Sequence, residues 1–409
     1  MAERASGKST DDGTYIVDPV ELFFDLVYVF GVSQLSVHLH AHLSWRGGGE
    51  TLVLLVGVFA AWYFASWQGT ILDVRRRPAF ALLLGMMLLG LFLNASVTHA
   101  FEGSGWDFVL PYLLIQLGGT LWARWHAASA MWKDHFQRTL WWLAASTPLW
   151  VLGAAGDTPE RLGWWASAVV IDLVGTWSAH PTPRRRLHSE GTGVAEATHM
   201  LERCRLFLIV ALGETVLTTG TAITSAHWST LTVVAGAAAL LSTIALWFIL
   251  FGPAGELVLR YVESGTSDPT HAARLAGNVL TMMLAGLIAL AVGNEIAVGH
   301  PDADVSAALP LLLFGGPGAV LVAQVWFLHT VPETRNGRRL LGLGVVALTG
   351  LAAAMWEPSP LTNLLLAACA LTASALLAHL QGGEREVPGD VPASADGACG
   401  TAAGQEPRQ

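Results

Sequence analysis

The chain has 409 residues, 53% of them hydrophobic and only 13% charged, with a net charge of −9 and a mean hydropathy of +0.50. Soluble globular proteins carry about 25% charged residues, so this composition excludes a soluble enzyme and a disordered chain. The acidic balance leaves no basic face to hold a phosphate backbone, which excludes a nucleic-acid binder.

The remaining class is all-α: a polytopic integral membrane helix bundle in a lipid bilayer, rich in glycine (43) and tryptophan (17). Residues 1–16 read as a polar tail with no signal-peptide core, 17–380 as the transmembrane domain, and 381–409 as a disordered cytoplasmic tail. Within the domain, apolar runs of helical length fall at about 19–43, 51–71, 79–101, 108–126, 139–155, 163–179, 197–222, 229–251, 275–298, 307–329, 340–356 and 360–380. They predict about 12 transmembrane helices (10–12). With the N-terminus cytoplasmic, every Lys and Arg except Arg46, Arg161, Arg203 and Arg205 falls on the inner side, as the positive-inside bias requires. The loop 180–194 divides the runs into two sets of six, and no internal sequence repeat is evident between them.

Ionisable groups inside such spans are costly and mark function. The first span opens Val17-Asp18-Pro19-Val20-Glu21-Leu22-Phe23-Phe24-Asp25-Leu26-Val27-Tyr28. Pro19 suits the first helical position with Asp18 as N-cap. Glu21 and Asp25 stand one turn apart on the face that carries Tyr28, so one is protonated or both meet a cation. The seventh span holds His199, Glu202, Arg203 and Glu214 within one arc of its surface. Arg203 paired with Asp25 or Glu21 would neutralise both helices. Such a pair serves as a helix clamp, a proton or substrate site, or both.

Asn278 sits inside the ninth span on one face with His271, as interhelical glue or a binding group. The segments Thr98–Glu102, Asn294-Glu295 and His300-Pro301 read as interfacial caps. Trp62, Trp67, Trp122, Trp125, Trp141, Trp142, Trp164, Trp165 and Trp228 lie near predicted span ends, as an aromatic belt would place them. Cys204 and Cys369 read as small buried thiols, and with Cys399 they form no metal spacing. Nucleotide-binding, nucleophile-elbow and zinc-protease motifs are missing from the sequence. No cofactor is implied, except Mg²⁺ on Glu21 and Asp25 if the protein is an enzyme acting on a diphosphate.

The segments VDPVELFFDLVYVFGVSQLS and HMLERCRLFLIVALGETVL resemble the two signatures of the bacterial low-temperature requirement A (LtrA) family. THAF and GNEIAVGHP match more loosely, and the resemblance spans about residues 16–380. It implies a multi-pass protein of the bacterial cytoplasmic membrane and carries no assigned reaction. Three functional classes stay open. One is a proton-linked transporter or permease, with Asp25, Glu202 and Glu214 moving protons and Glu21, Tyr28, His199, Arg203 and Asn278 in binding roles. Another is an intramembrane acid–base enzyme, such as a cyclase or isomerase, acting on a lipid or isoprenoid. The third is a non-catalytic membrane assembly or stress-related protein.

Overall fold

The computed structural model describes residues 18–72, 77–182, 194–252, 269–303, 307–329 and 336–383. The predicted tails 1–16 and, apart from the end of the last helix, 381–409 lie outside them, as do Arg75, Arg76, Arg184–Arg186, Arg260 and Arg335 of the charge-bias reading. Among the described residues all extended regular structure is helical, which lets each backbone satisfy its own hydrogen bonds where no water is present.

Each predicted run corresponds to one helical segment. These are α1 (Pro19–Ala41), α2 (Trp45–Leu72), α3 (Arg77–Ala95), α4 (residues 106–126), α5 (Ala130–Ala155), α6 (Thr158–Trp177), α7 (Val194–Ser225), α8 (Thr230–Phe251), α9 (Pro269–Gly299), α10 (Ala308–His329), α11 (Gly337–Trp356) and α12 (Pro360–Gly383). Several outrun their apolar cores. α2 starts earlier than its run because the Arg46–Glu50 pair, one turn apart at 2.8 Å, supports a polar first turn. α5 starts at 130 because the Ser129 hydroxyl caps it by accepting from Trp132 N. Among the described residues, nine helices are long and apolar enough to cross a membrane; α4, α5 and α6 fall short. Their charged and amide groups, including Asp107, Gln116, Lys133, Arg138, Arg161 and Asp172, lower the mean hydropathy without shortening the rods.

The burial pattern of α1 is inverted relative to a soluble helix. Glu21, Asp25, Tyr28 and Ser36 face inward, whereas Phe23, Leu26, Phe30 and Val37 are exposed. Polar-in and apolar-out is the arrangement a lipid solvent selects.

The packing order of the first six helices recurs in the last six. α1 packs on α2 and α3, α3 on α4, α4 on α5, α5 on α6, and α6 returns to α2. Likewise α7 packs on α8 and α9, α9 on α10, α10 on α11, α11 on α12, and α12 returns to α8. The fourth helix of each half carries a π-turn, Leu114–Gly118 in α4 and Leu311–Gly315 in α10. Prolines precede both, Pro111 and Pro310, and each withdraws a backbone donor just before the ladder widens. The repeat thus exists in architecture where the sequence shows none. The halves meet where α1 and α2 pack on α7 and α9, and one apolar core runs through both.

Three expectations are corrected. Trp62, Trp67 and Trp165 are core residues rather than belt residues, at 0%, 7% and 0% exposure. The indoles of Trp62 and Trp165 find buried acceptors, which makes a central position tolerable. Cys369 is exposed on the outer surface of α12, while Cys204 is buried. Asn294 is fully buried rather than an interfacial cap, because α9 continues past it to Gly299.

Candidate functional site

The N-terminal turn of α1 is built by the sequence Asp18-Pro19-Val20-Glu21. Asp18 accepts from Val20 N at 3.1 Å, and Glu21 Oε2 accepts from Asp18 N at 3.1 Å, a complete capping box. The box fixes Glu21 at the end of α1, and one turn later Asp25 enters the core at 1% exposure.

Arg203 of α7 meets both acids. Its Nη2 donates to Asp25 Oδ1 at 2.7 Å, and its Nη1 lies 3.6 Å from Glu21 Oε1. Trp62 Nε1 of α2 donates to the same Asp25 oxygen at 2.7 Å. The guanidinium is fully buried between aromatic faces, 5.6 Å from the Phe24 ring and 5.8 Å from Trp62. It occupies the position between the two carboxylates that a divalent cation would need, and among the described residues no three acids, histidines or cysteines group as metal ligands. Asp25 Oδ2, Arg203 Nε and the Tyr28 hydroxyl remain buried without hydrogen-bond partners.

His199, one turn before Arg203, completes the cluster. Its Nε2 stands 3.3 Å from Glu21 Oε2, and its Nδ1 lies 3.2 Å from Thr70 Oγ1 of α2. Thr70 has one hydroxyl hydrogen and gives it to Ser66 O at 3.0 Å. Nδ1 of His199 must therefore carry a hydrogen and donate it to Thr70. That leaves Nε2 facing the Glu21 carboxyl, a contact that a proton on either group would turn into a hydrogen bond. The His199 side chain is 19% exposed, whereas those of Glu21, Asp25 and Arg203 are exposed by no more than 3%. The contact is thus the edge through which a closed ion-pair network meets its surroundings.

At the far end of the same seam, Glu214 of α7 is 5% exposed and lies close enough to the Ser33 side chain of α1 to interact with it. Glu295 of α9 lies close enough to interact with it and pairs with His40 at 3.0 Å. Since Glu21 meets Arg203 and Ser33 meets Glu214, α1 and α7 run parallel. From Glu21 to Ser33 is about 18 Å along α1, at about 1.5 Å per residue.

The bacterial low temperature requirement A protein (LtrA) family model matches residues 16–375, a stretch that contains both ends of this seam. The chain belongs to the LtrA family. It is also similar to an uncharacterized protein of Rhizobium meliloti (strain 1021), at 27% identity over 368 residues, covering 84% of this chain and 89% of the relative. No solved structure matches it.

The remaining sequence candidates of this LtrA family member lie apart from the cluster. Glu202 is turned about 100° from Arg203 and pairs with Arg205 at 3.6 Å on the outer side of α7. Tyr28 lies deeper on α1, its ring within 3.1–3.2 Å of where a side chain on Gly90 would begin, so that α1 and α3 touch there. Asn278 is half-buried on α9.

Two LtrA groups escaped the sequence reading. Asp172 of α6 is 9% exposed, and its Oδ2 accepts from Tyr112 of α4 and Trp150 of α5, each at 3.1 Å. Gln116, on the π-turn of α4, donates to the same Tyr112 oxygen at 3.4 Å. The available signal was a lone acid in the middle of an apolar run. Arg161, placed among the outside charges by its position, is 4% exposed and donates to three carbonyls, Gly153 at 3.0 Å, Ala100 at 2.7 Å and Gly103 at 3.0 Å, with its guanidinium 5.6 Å from the centre of the Trp165 ring. Gly153 lies in the last turn of α5, where orphan carbonyls and the helix dipole favour a cation.

Proposed function

We propose that this LtrA family member is a proton-linked secondary transporter of the bacterial cytoplasmic membrane, with about twelve spans and its N-terminus in the cytoplasm. The observation that carries the reading is the 3.3 Å contact between His199 Nε2 and Glu21 Oε2 at the edge of a buried network, a contact that one proton would bridge. With that proton the four side chains Glu21, Asp25, Arg203 and His199 balance to zero charge. Without it they hold a net negative charge in a dry interior, a state that favours rearrangement of the α1–α7 contact.

The architecture supports the same reading. Parallel α1 and α7 require an odd number of crossings between them, and the five helices α2–α6 supply it. Two halves of like packing that meet at a polar seam suit alternating exposure of a central site. The chain has no nucleotide-binding motif to drive transport directly. In this reading Asp25 and Glu214 exchange protons at opposite ends of the seam. Arg203 either binds an anionic substrate group or holds the inner end shut.

The test is untargeted metabolite profiling of cells and medium, measured separately. The strains are a deletion mutant, the mutant with the wild-type gene restored, and the mutant carrying Glu214→Gln. Transport predicts one compound of unchanged structure redistributing between cells and medium, with Glu214→Gln behaving like the deletion. Loss of a compound together with build-up of a precursor overturns transport in favour of chemistry. Full rescue by the charge swap Asp25→Arg with Arg203→Asp reduces the cluster to a clamp.

A further inference from the structure

The end of the bundle that holds His199 also gathers four basic side chains outside the Asp25–Arg203 cluster. His135 and Arg138 stand in the first turns of α5, His180 just past the end of α6, and Arg274 in the second turn of α9. The rings of His135 and His180 lie 6.3 Å apart, and both sit close enough to Arg138 and Arg274 to interact with their charges. On α2, the Phe64 ring is 6.0 Å from His180, and Tyr63 donates to Ala273 O at 3.2 Å, which seats the turn that carries Arg274. Ala179 and His180 both take left-handed backbone, at φ 60° and 53°, although neither is glycine. Such strain collects where function holds it in place. Here Ala179 N and His180 N satisfy the last carbonyls of α6, Thr176 O at 3.3 Å and Gly175 O at 2.7 Å, and the turn folds the His180 ring back against Gly175.

The charges of this group do not balance. Arg138 has Asp134 at 3.4 Å and donates through Nη1 to Ala179 O at 3.3 Å. Among the described residues Arg274 has neither an ion pair nor a hydrogen bond. With both histidines neutral, two arginines and one aspartate leave one positive charge over. That charge is also within reach. Arg274 is half-buried, and of its three nitrogens only Nε is sealed from water. Arg138, 15% exposed at its side chain, likewise keeps Nη2 open, and the ring nitrogens of His135 and His180 are neither sealed nor bonded. A carboxylate offers two oxygens in one plane, whereas a phosphate group offers oxygens in several directions and suits donors arriving from three elements. The deepest of the four, Arg138, is eight residues from the start of its helix, or about 12 Å, a depth that headgroups reach. We propose that His135, Arg138, His180 and Arg274 bind a phosphate group bearing one net negative charge, carried by an anionic phospholipid or free in solution. Its charge neutralises the group, and its oxygens join α5 and α6 of the first half to α9 of the second. The site stands independently of the transport reading, since it requires binding and not translocation.

The experiment uses the full chain, delipidated in dodecyl maltoside and phosphate-free buffer. Phenylglyoxal condenses with the terminal nitrogens of arginine, and its adducts at Arg138, Arg205 and Arg274 are followed by peptide mass spectrometry. The added probes are dioleoyl phosphatidylglycerol, dioleoyl phosphatidylcholine and inorganic phosphate. Arg205, 42% exposed at its side chain, serves as the reference. Arg274 is expected to react in the delipidated chain. Phosphatidylglycerol is expected to protect Arg274 and Arg138 at about tenfold lower concentration than phosphatidylcholine, the worth of one hydrogen bond to a charged group, and to leave Arg205 reactive. Protection by phosphatidylglycerol but not by inorganic phosphate assigns the site to a lipid headgroup; protection by inorganic phosphate assigns it to a free anion. Arg274→Gln is expected to remove the protection of Arg138. Lack of protection by both anionic probes overturns the proposal, as does equal protection by phosphatidylglycerol and phosphatidylcholine without any by inorganic phosphate. So does equal protection of Arg205, an Arg274 that fails to react in the delipidated chain, or protection of Arg138 that survives Arg274→Gln. The comparison of probes needs no variant, so an Arg274→Gln protein that fails to fold leaves the test intact.

Discussion

Replacing Arg203 with Gln removes the cation shared by Glu21 and Asp25 and leaves two carboxylates buried about one turn apart. The attraction lost is about 4 kcal/mol for unit charges 4 Å apart at an effective dielectric of about 20. Mutational breaking of buried pairs elsewhere costs about 3–5 kcal/mol. Because Asp25 and Arg203 are each 1% exposed at the side chain, no solvent screening reduces the figure. The neutral double variant Asp25→Asn with Arg203→Gln keeps an acceptor for Trp62 and removes one of the two stranded charges. It should recover about 2–3 kcal/mol relative to the sum of the single variants. Denaturant unfolding of the four proteins in mixed micelles yields the coupling energy as a double-mutant cycle. A coupling below about 0.5 kcal/mol would refute the view that this pair holds α1 to α7.

Three further outcomes follow from other contacts. Asp172→Asn should cost less than about 1 kcal/mol, because both donors to the carboxylate are neutral and an amide oxygen can accept from them; Asp172→Leu should cost about 2–4 kcal/mol by stranding Tyr112 and Trp150. The same unfolding assay ranks the two, and equal losses would contradict the assignment. Gly31→Ala should destabilise by about 1–3 kcal/mol, since its new methyl would clash with Asn94 Oδ1; adding Asn94→Ala should restore part of that loss, and a silent Gly31→Ala would contradict the close α1–α3 contact. His180, just past the end of α6, is pushed down to about 3 by burial, with His135, Arg138 and Arg274 adding like-charge repulsion. Its folded value lies below its unfolded value of about 6.5, so the unfolded state binds the proton first. Stability should therefore fall as pH drops from about 6.5 toward 3, by up to about 1.4 kcal/mol per unit. His180→Gln should flatten that slope in melts taken between pH 6.5 and 4, and an unchanged slope would show that other groups carry it.

The helices were legible because lipid imposes a one-dimensional rule, about twenty apolar residues per crossing. The inner cluster was legible for a related reason. Asp18-Pro19 and Glu21-x3-Asp25 are local patterns, and Arg203 was the deep cation on the same face as His199 and Glu214. Glu202 shows the limit of that approach. An arc drawn on an isolated helix cannot say that His199 and Arg203 turn to α1 while Glu202 turns away to meet Arg205. Trp62 and Trp165 were misread because distance from a span end was used where the presence of an acceptor decides. Asp172 and Arg274 depend on helices brought together by tertiary packing, and no spacing along the chain announces their neighbours. The repeated packing order is likewise invisible in sequence, because apolar residues of different identity fill equivalent contacts.

Asp25 and Arg203 stand 178 positions apart in the chain. At a synthesis rate of about 5–20 residues per second, α1 leaves the ribosome about 9–36 s before its counter-charge exists. Trp62, which follows Asp25 by only 37 residues, is available much sooner and can satisfy one carboxylate oxygen in the interval. α1 therefore enters the bilayer as an acidic helix attended by a single indole, and it becomes neutral only when the second half of the protein arrives. A chain cut after α6 would expose that debt permanently, and the cell's membrane proteases would be expected to remove it.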